Sequence, residues 1–167
     1  MKRIAKFEKI SFTNFVNCYP QLDNDVTNDI YNNINLPSRA TQGSAGYDFF
    51  APKEYTLLCG ETIVIPTGIR VRIEDGWVLK IYPRSGFGFK YRLQLNNTVG
   101  IIDSDYYHSD NEGHIFIKII NANKEGKKLT IKKGEAFAQG IFVEYGITED
   151  DEVLNIRNGG FGSTNKE

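Results

Sequence analysis

The segments Thr62-Ile-Val-Ile65, Ile69-Arg-Val-Arg-Ile73 and Trp77-Val-Leu-Lys-Ile-Tyr82 follow one another so closely that no helix fits between them. Apolar, β-branched runs at this spacing are the pattern of an all-β chain. In the middle segment Ile69, Val71 and Ile73 alternate with Arg70 and Arg72, which predicts a half-buried strand with its charges outward. Asp75-Gly76 supplies a tight turn before the next strand. His114-Ile-Phe-Ile-Lys-Ile-Ile120 reads the same way, and Lys132-Lys-Gly-Glu135 is a turn leading into the strand Ala136-Phe-Ala-Gln-Gly-Ile-Phe-Val143. Helical periodicity is strong nowhere. The expected fold is a β-sandwich, jelly roll or barrel.

At 167 residues the chain is long enough for one domain with a real core. A net charge of −1 with 25% charged residues excludes a basic field for long nucleic acid, although a local cationic cluster would escape that count. Cys18 and Cys59 form neither a metal motif nor a disulfide framework, and reduced, buried thiols are expected. No run approaches the roughly 20 apolar residues of a membrane span, so the sequence predicts a soluble, cytoplasmic protein. Residues 23–35 hold three Asp and five Asn, which predicts a surface loop with at most one helical turn. Its Asp23, Asp25, Thr27, Asp29 spacing faintly resembles a calcium loop but lacks the turn glycine and the closing glutamate, so solvation is the better reading. Glu149-Asp-Asp-Glu152 reads as a solvated linker.

Chemistry concentrates in Thr98-Val-Gly-Ile-Ile-Asp-Ser-Asp-Tyr106, where an apolar strand runs into Asp103 and then Asp105. Period-two geometry predicts that both acids leave one face, beside the rings of Tyr106 and Tyr107. A carboxylate held next to a ring that can stack on a sugar or base is what water activation on a nucleotide needs. Upstream, Tyr82-Pro-Arg-Ser-Gly-Phe-Gly88 offers a cation, a hydroxyl and backbone N–H groups for phosphate. Ser44-Ala-Gly-Tyr-Asp48 places another carboxylate. Near the end, Arg157-Asn-Gly-Gly-Phe-Gly-Ser-Thr164 has three glycines in four residues, too many for a packed element unaided.

In order and approximate spacing these motifs resemble those of the homotrimeric dUTPase family, over roughly residues 36–164. The resemblance implies a distorted jelly roll or β-barrel over residues 1–155, with insertion loops at 18–35 and 107–113, and a flexible Gly-rich arm at 156–167. It implies hydrolysis of dUTP to dUMP and pyrophosphate, with Asp103 as the base that activates water against the α-phosphorus, keeping uracil out of DNA. Asn97, Gly100, Ile101 and Ile102, with Asn96 nearby, would form the uracil pocket, and Phe116 would close the hairpin. Tyr106 would lie under the deoxyribose and block a 2′-hydroxyl. Arg84, Ser85, Gly86 and Gln139 would meet the phosphates, with Asp48 holding Arg84 or a metal-bound water. In the arm, Arg157, Gly162, Ser163 and Thr164 would wrap the phosphates and Phe161 would stack on the base, supplied by a different subunit from the hairpin. The implied cofactor is Mg2+, bridging triphosphate oxygens rather than seated in a protein cage.

The chain departs from the family where Tyr107-His-Ser-Asp-Asn-Glu-Gly113 lengthens the turn after Tyr106. This insertion and residues 23–35 offer surface for a protein partner. His108 and His114, flanking that turn, are expected at the surface. Two alternatives stand beside the main reading. One is a dCTP deaminase of the same fold, which requires a glutamate that the pocket motifs lack. The other is a nucleotide-controlled regulator that binds a protein partner.

Overall fold

Burial follows the alternation in Ile69-Arg-Val-Arg-Ile73 closely. Ile69, Val71 and Ile73 are buried, whereas Arg70 is half-buried and Arg72 exposed. The computed structural model describes residues 2–155 and Arg157. After β1 (Ala5–Lys9) come two helices, α1 (Phe12–Val16) and α2 (Asn24–Asn32). Strands β2 (Ser38–Arg39), β3 (Tyr47–Phe50), β4 (Tyr55–Leu57), β5 (Thr62–Pro66), β6 (Ile69–Ile73) and β7 (Trp77–Pro83) follow. The chain continues through α3 (Ser85–Tyr91), β8 (Leu93–Leu95), β9 (Gly100–Ile102), a 3-10 helix (Ser104–His108), β10 (Phe116–Asn121), β11 (Leu129–Ile131) and β12 (Ala136–Glu144).

The strands form a jelly-roll-like β fold. A five-stranded sheet has the order β2-β3-β12-β7-β9, and a three-stranded sheet the order β5-β10-β8. β1 pairs with β6, and β11 with β4. Every pairing is antiparallel. The Asp75-Gly76 turn is present, with Trp77 N–H donating to Glu74 O at 3.2 Å. It does not make a hairpin, because β6 pairs with β1 while β7 pairs with β12 and β9. The turn instead carries the chain from one sheet to another. Phe15, Phe49, Phe137, Ile65 and Leu79 fill the core between the sheets. Removing such surfaces from water is the main stabilising term of the fold.

Three expectations need correction. Residues 23–35 are not a loop: α2 occupies nine of them, capped by the Asp23 side chain accepting from Asp25 N–H at 2.8 Å. Thr27 and Ile30 form its buried face, with Ile34 buried just past its end, and Thr27 disguised the pattern because a threonine does not read as apolar. Residues 85–91, where the sequence shows no strong helical periodicity, form α3. The strand carrying Asp103 ends at Ile102, so Asp105 belongs to a 3-10 helix rather than to a continuing strand. No helix among the described residues is long and apolar enough to cross a membrane.

Candidate active site

β8, β9 and the turn between them, expected as a hairpin, overhang a cavity of about 590 Å3, although β8 pairs with β10 and β9 with β7. Asn97, Gly100, Ile101, Ile102, Tyr106 and Phe116 all line it. At Gly100 a side chain would meet β7, since an added Cβ would lie 3.1 Å from Ile81 Cβ. Asn97 and Ile101 are exposed, consistent with surfaces waiting to meet a ligand. Sequence reasoning missed Val64 and Lys118, opposite each other on β5 and β10, which also line the cavity. Their signal was available: Val64 sits on the outward face of Ile63-Val-Ile65 yet is apolar, and an apolar residue on both faces of a strand marks two contacts.

Asp103 follows β9 directly and occupies the N-cap position of the 3-10 helix without a side-chain capping bond. The two acids converge despite the broken strand. Arg157 Nη2 lies 2.6 Å from Asp103 Oδ2, and its Nε lies 3.0 Å from Asp105 Oδ1. Arg157 also lines the cavity, with its guanidinium carbon 6.0 Å from the centroid of the Tyr106 ring. The acid pair therefore stands at the rim of the cavity, joined to it by one cation.

Tyr106 is buried, and its hydroxyl is fully engaged. It donates to His114 O at 2.7 Å and accepts from Asn111 Nδ2 at 2.8 Å. Burial raises the phenol's pKa. His114 corrects the surface expectation: it is only 2% exposed, and Nε2 accepts the Gly68 N–H at 2.9 Å. That bond requires an unprotonated Nε2, and burial pushes the imidazole down to about 4. Its ring also packs on Phe116 at 4.1 Å between centroids. His108 is exposed, as expected.

The phosphate candidates assemble elsewhere. Arg84 precedes α3, and its Nε lies 3.4 Å from Asp48 Oδ1. Gln139 on β12 stands opposite Asp48 on β3 and Tyr82 on β7, and its amide donates to Pro83 O at 3.3 Å. Ser85 is exposed at the start of α3. Arg84 and Gly86 border a second cavity of about 640 Å3, together with Phe87, Lys90, Lys128 and Lys132. The two lysines that flank β11, and the one from α3, were not anticipated, because each looks like a solvated cation in its own segment. Phe161, Gly162, Ser163 and Thr164, the remaining predicted contacts, lie outside the described residues.

Comparison with known proteins follows the same lines. The model of the dUTPase family matches residues 32–165. A deoxyuridine 5′-triphosphate nucleotidohydrolase of Lactococcus lactis subsp. lactis is 43% identical over 134 residues, covering 78% of this chain and 88% of the relative. One from Chromobacterium violaceum is 38% identical over 140 residues, covering 79% and 89%. Among solved structures, the dUTPase of Streptococcus mutans superposes with a TM-score of 0.64 at 30% identity, covering 86% of this chain and 98% of that one. The dUTPase of phage phi11 of S. aureus shares the fold, with a TM-score of 0.65 at 22% identity, covering 92% and 98%.

Proposed function

The chain belongs to the dUTPase family and hydrolyses dUTP to dUMP, and we propose that Asp103 is the general base of that reaction. The observation that carries this reading is the convergence of Asn97, Gly100, Ile102, Tyr106 and Phe116 on one cavity with the Asp103 carboxylate at its rim. An ionised aspartate accepts a proton from water as that water attacks the α-phosphorus in line, and pyrophosphate leaves. Uracil enters the apolar cavity. Backbone of the turn between β8 and β9 and the Asn97 amide pair with its carbonyl and N–H edge, whereas a 5-methyl group has no space and cytosine leaves buried groups unpaired. Tyr106 lies under the deoxyribose.

Arg84, Ser85, Gly86 and Gln139 receive the phosphates, with Asp48 orienting Arg84 across the observed 3.4 Å ion pair. Mg2+ is the proposed cofactor. The donor set suits a hard cation carried on triphosphate oxygens, with Asp48 the carboxylate able to reach it through water. That ion would neutralise charge as the leaving group departs. Arg157 now holds Asp103, and substrate would draw it to the phosphates, freeing the carboxylate to act. The arm from residue 156, with Phe161, Gly162, Ser163 and Thr164, then completes the site on a body of residues 1–155 in a homotrimer. The exposed Ile147, Val153 and Leu154 ahead of the arm support burial against a neighbouring copy. Cys18 is half-buried and Cys59 exposed, against the expectation of buried thiols, and both being free supports a cytoplasmic setting.

Asp103→Asn tests the assignment. Turnover should fall by roughly 10²–10⁴ while dUMP affinity is kept, because an amide cannot take the proton. Near-wild-type turnover would move the base to Asp105.

A further inference from the structure

Two residues of the lengthened turn 107–113, Tyr107 and Glu112, direct their polar groups back onto the N-terminal segment and β6. The Glu112 carboxylate accepts from Ser11 N–H at 2.7 Å, from Ser11 Oγ at 2.6 Å and from Asn14 Nδ2 at 2.6 Å. The Tyr107 hydroxyl donates to Glu8 at 2.6 Å and accepts from Arg70 at 2.6 Å. The turn is therefore bolted to β1, β6 and the start of α1. Between these anchors Asn111 points the other way. Its Nδ2 donates to Tyr106 Oη at 2.8 Å while its Oδ1 accepts from Gly113 N–H at 3.1 Å.

The Tyr106 hydroxyl thus has its proton committed to His114 O and a lone pair filled by Asn111. Asn111 lies in the turn that the N-terminal segment holds still, and His114 directly follows it. A phenol fixed at two points keeps its ring at one height in the cavity wall. Discrimination between hydrogen and hydroxyl at a sugar carbon depends on sub-ångström placement of such a wall.

We propose that Asn111 is a specificity-determining positioning residue: acting through Tyr106, it sets the ring where deoxyribose fits and ribose does not. The proposal rests on Tyr106 facing the sugar. It gives the lengthened turn a role in substrate choice, with the class of excluded ligand a ribonucleoside triphosphate.

The experiment measures kcat/KM for dUTP and for UTP in the full chain, with thermal melts alongside. Asn111→Asp keeps the acceptor for Gly113 N–H but loses the donor to Tyr106. It should lower the dUTP-to-UTP ratio roughly fivefold to tenfold, as the loss of one neutral hydrogen bond would. Asn111→Ala should do the same, and adding it to Tyr106→Phe, which lacks the hydroxyl, should change the ratio no further. A wild-type ratio in Asn111→Asp overturns the proposal, and so does an undiminished effect of Asn111→Ala in the Tyr106→Phe background. Tyr106→Ala separates the two levels. If it moves the ratio while the Asn111 variants do not, only the positioning role fails. If it leaves the ratio unchanged, the sugar-facing reading of Tyr106 fails and the positioning role falls with it.

Discussion

Two cavities of the molecule are built from contrasting chemistries. One is walled mainly by aliphatic and aromatic side chains beneath β8 and β9, with Lys118 and Arg157 as its cations, and the other by Arg84, Lys90, Lys128 and Lys132 around Phe87 and Tyr91. They share no lining residue, yet β7 serves both: Ile81 lines the first, and Arg84, just past its end, lines the second. Neutralisation follows the same division. Lys127 and Lys133 pair with Glu125 and Asp29, whereas Lys128 and Lys132 have no ion-pair partner among the described residues. A net charge of −1 conceals this separation of the proposed base-reading region from a cationic one. Net charge bounds long-range fields, and a nucleotide site needs only a local one.

If the regions are separable, damage to one should spare the other. Gly113→Ala should have the largest effect. At φ +70° an added Cβ would lie 2.7 Å from both Tyr106 O and Tyr107 Cα, neither of which can swing away. Left-handed strain and the clash together should cost about 3–4 kcal/mol, seen as a lower Tm. Activity on dUTP should fall while affinity for inorganic pyrophosphate holds, and equal loss of both would erase the distinction.

Acid should attack the same region slightly less strongly. The folded chain keeps His114 neutral down to about 4, while the unfolded chain takes up that proton near 6.5. The unfolded state binds more protons between those values, so stability falls as pH drops through the window, by on the order of 3 kcal/mol. Glu8, held below the usual carboxylate range by bonds from Lys6 and Tyr107, and Glu112, held down by Ser11, lose their contributions at still lower pH. Denaturant melts at pH 7 and pH 4.5 would show this, and a flat profile would contradict it. His114→Gln should flatten the upper part of the curve.

Arg84→Ala should act on the cationic side alone. Losing a charge-assisted phosphate contact costs about 2 kcal/mol, or roughly thirtyfold in kcat/KM for dUTP. Deoxyuridine, which has no phosphate, should bind as before. An equal loss for deoxyuridine would mean that Arg84 shapes the base cavity too.

Much of the base-reading region was legible because its signals are local. The strand alternation placed Ile69, Val71 and Ile73 inward, and the residues expected as a hairpin are consecutive in the chain. Where the reading broke, a distant partner decided. The period-two argument ran past Ile102, but there the chain turns into a 3-10 helix whose Ser104 hydroxyl donates to Asp75 at 2.9 Å. His114 is buried because the distant Gly68 N–H needs an acceptor. α3 stayed hidden behind Gly86 and Gly88, poor helix formers that tertiary packing overrides. The cationic cleft was invisible because it joins α3 to β11, and no single segment contains its cluster.

The central claim is that the apolar cavity reads uracil on deoxyribose and presents it to Asp103. The most direct measurement is pyrophosphate release from dUTP, dTTP, dCTP and UTP under identical conditions. The account predicts rapid release from dUTP, with dTTP and dCTP slower by roughly 10²-fold or more, as a steric clash and unpaired buried groups require. UTP should also be disfavoured, and no ammonia should form from dCTP. Comparable turnover of dTTP, or ammonia from dCTP, would contradict the account.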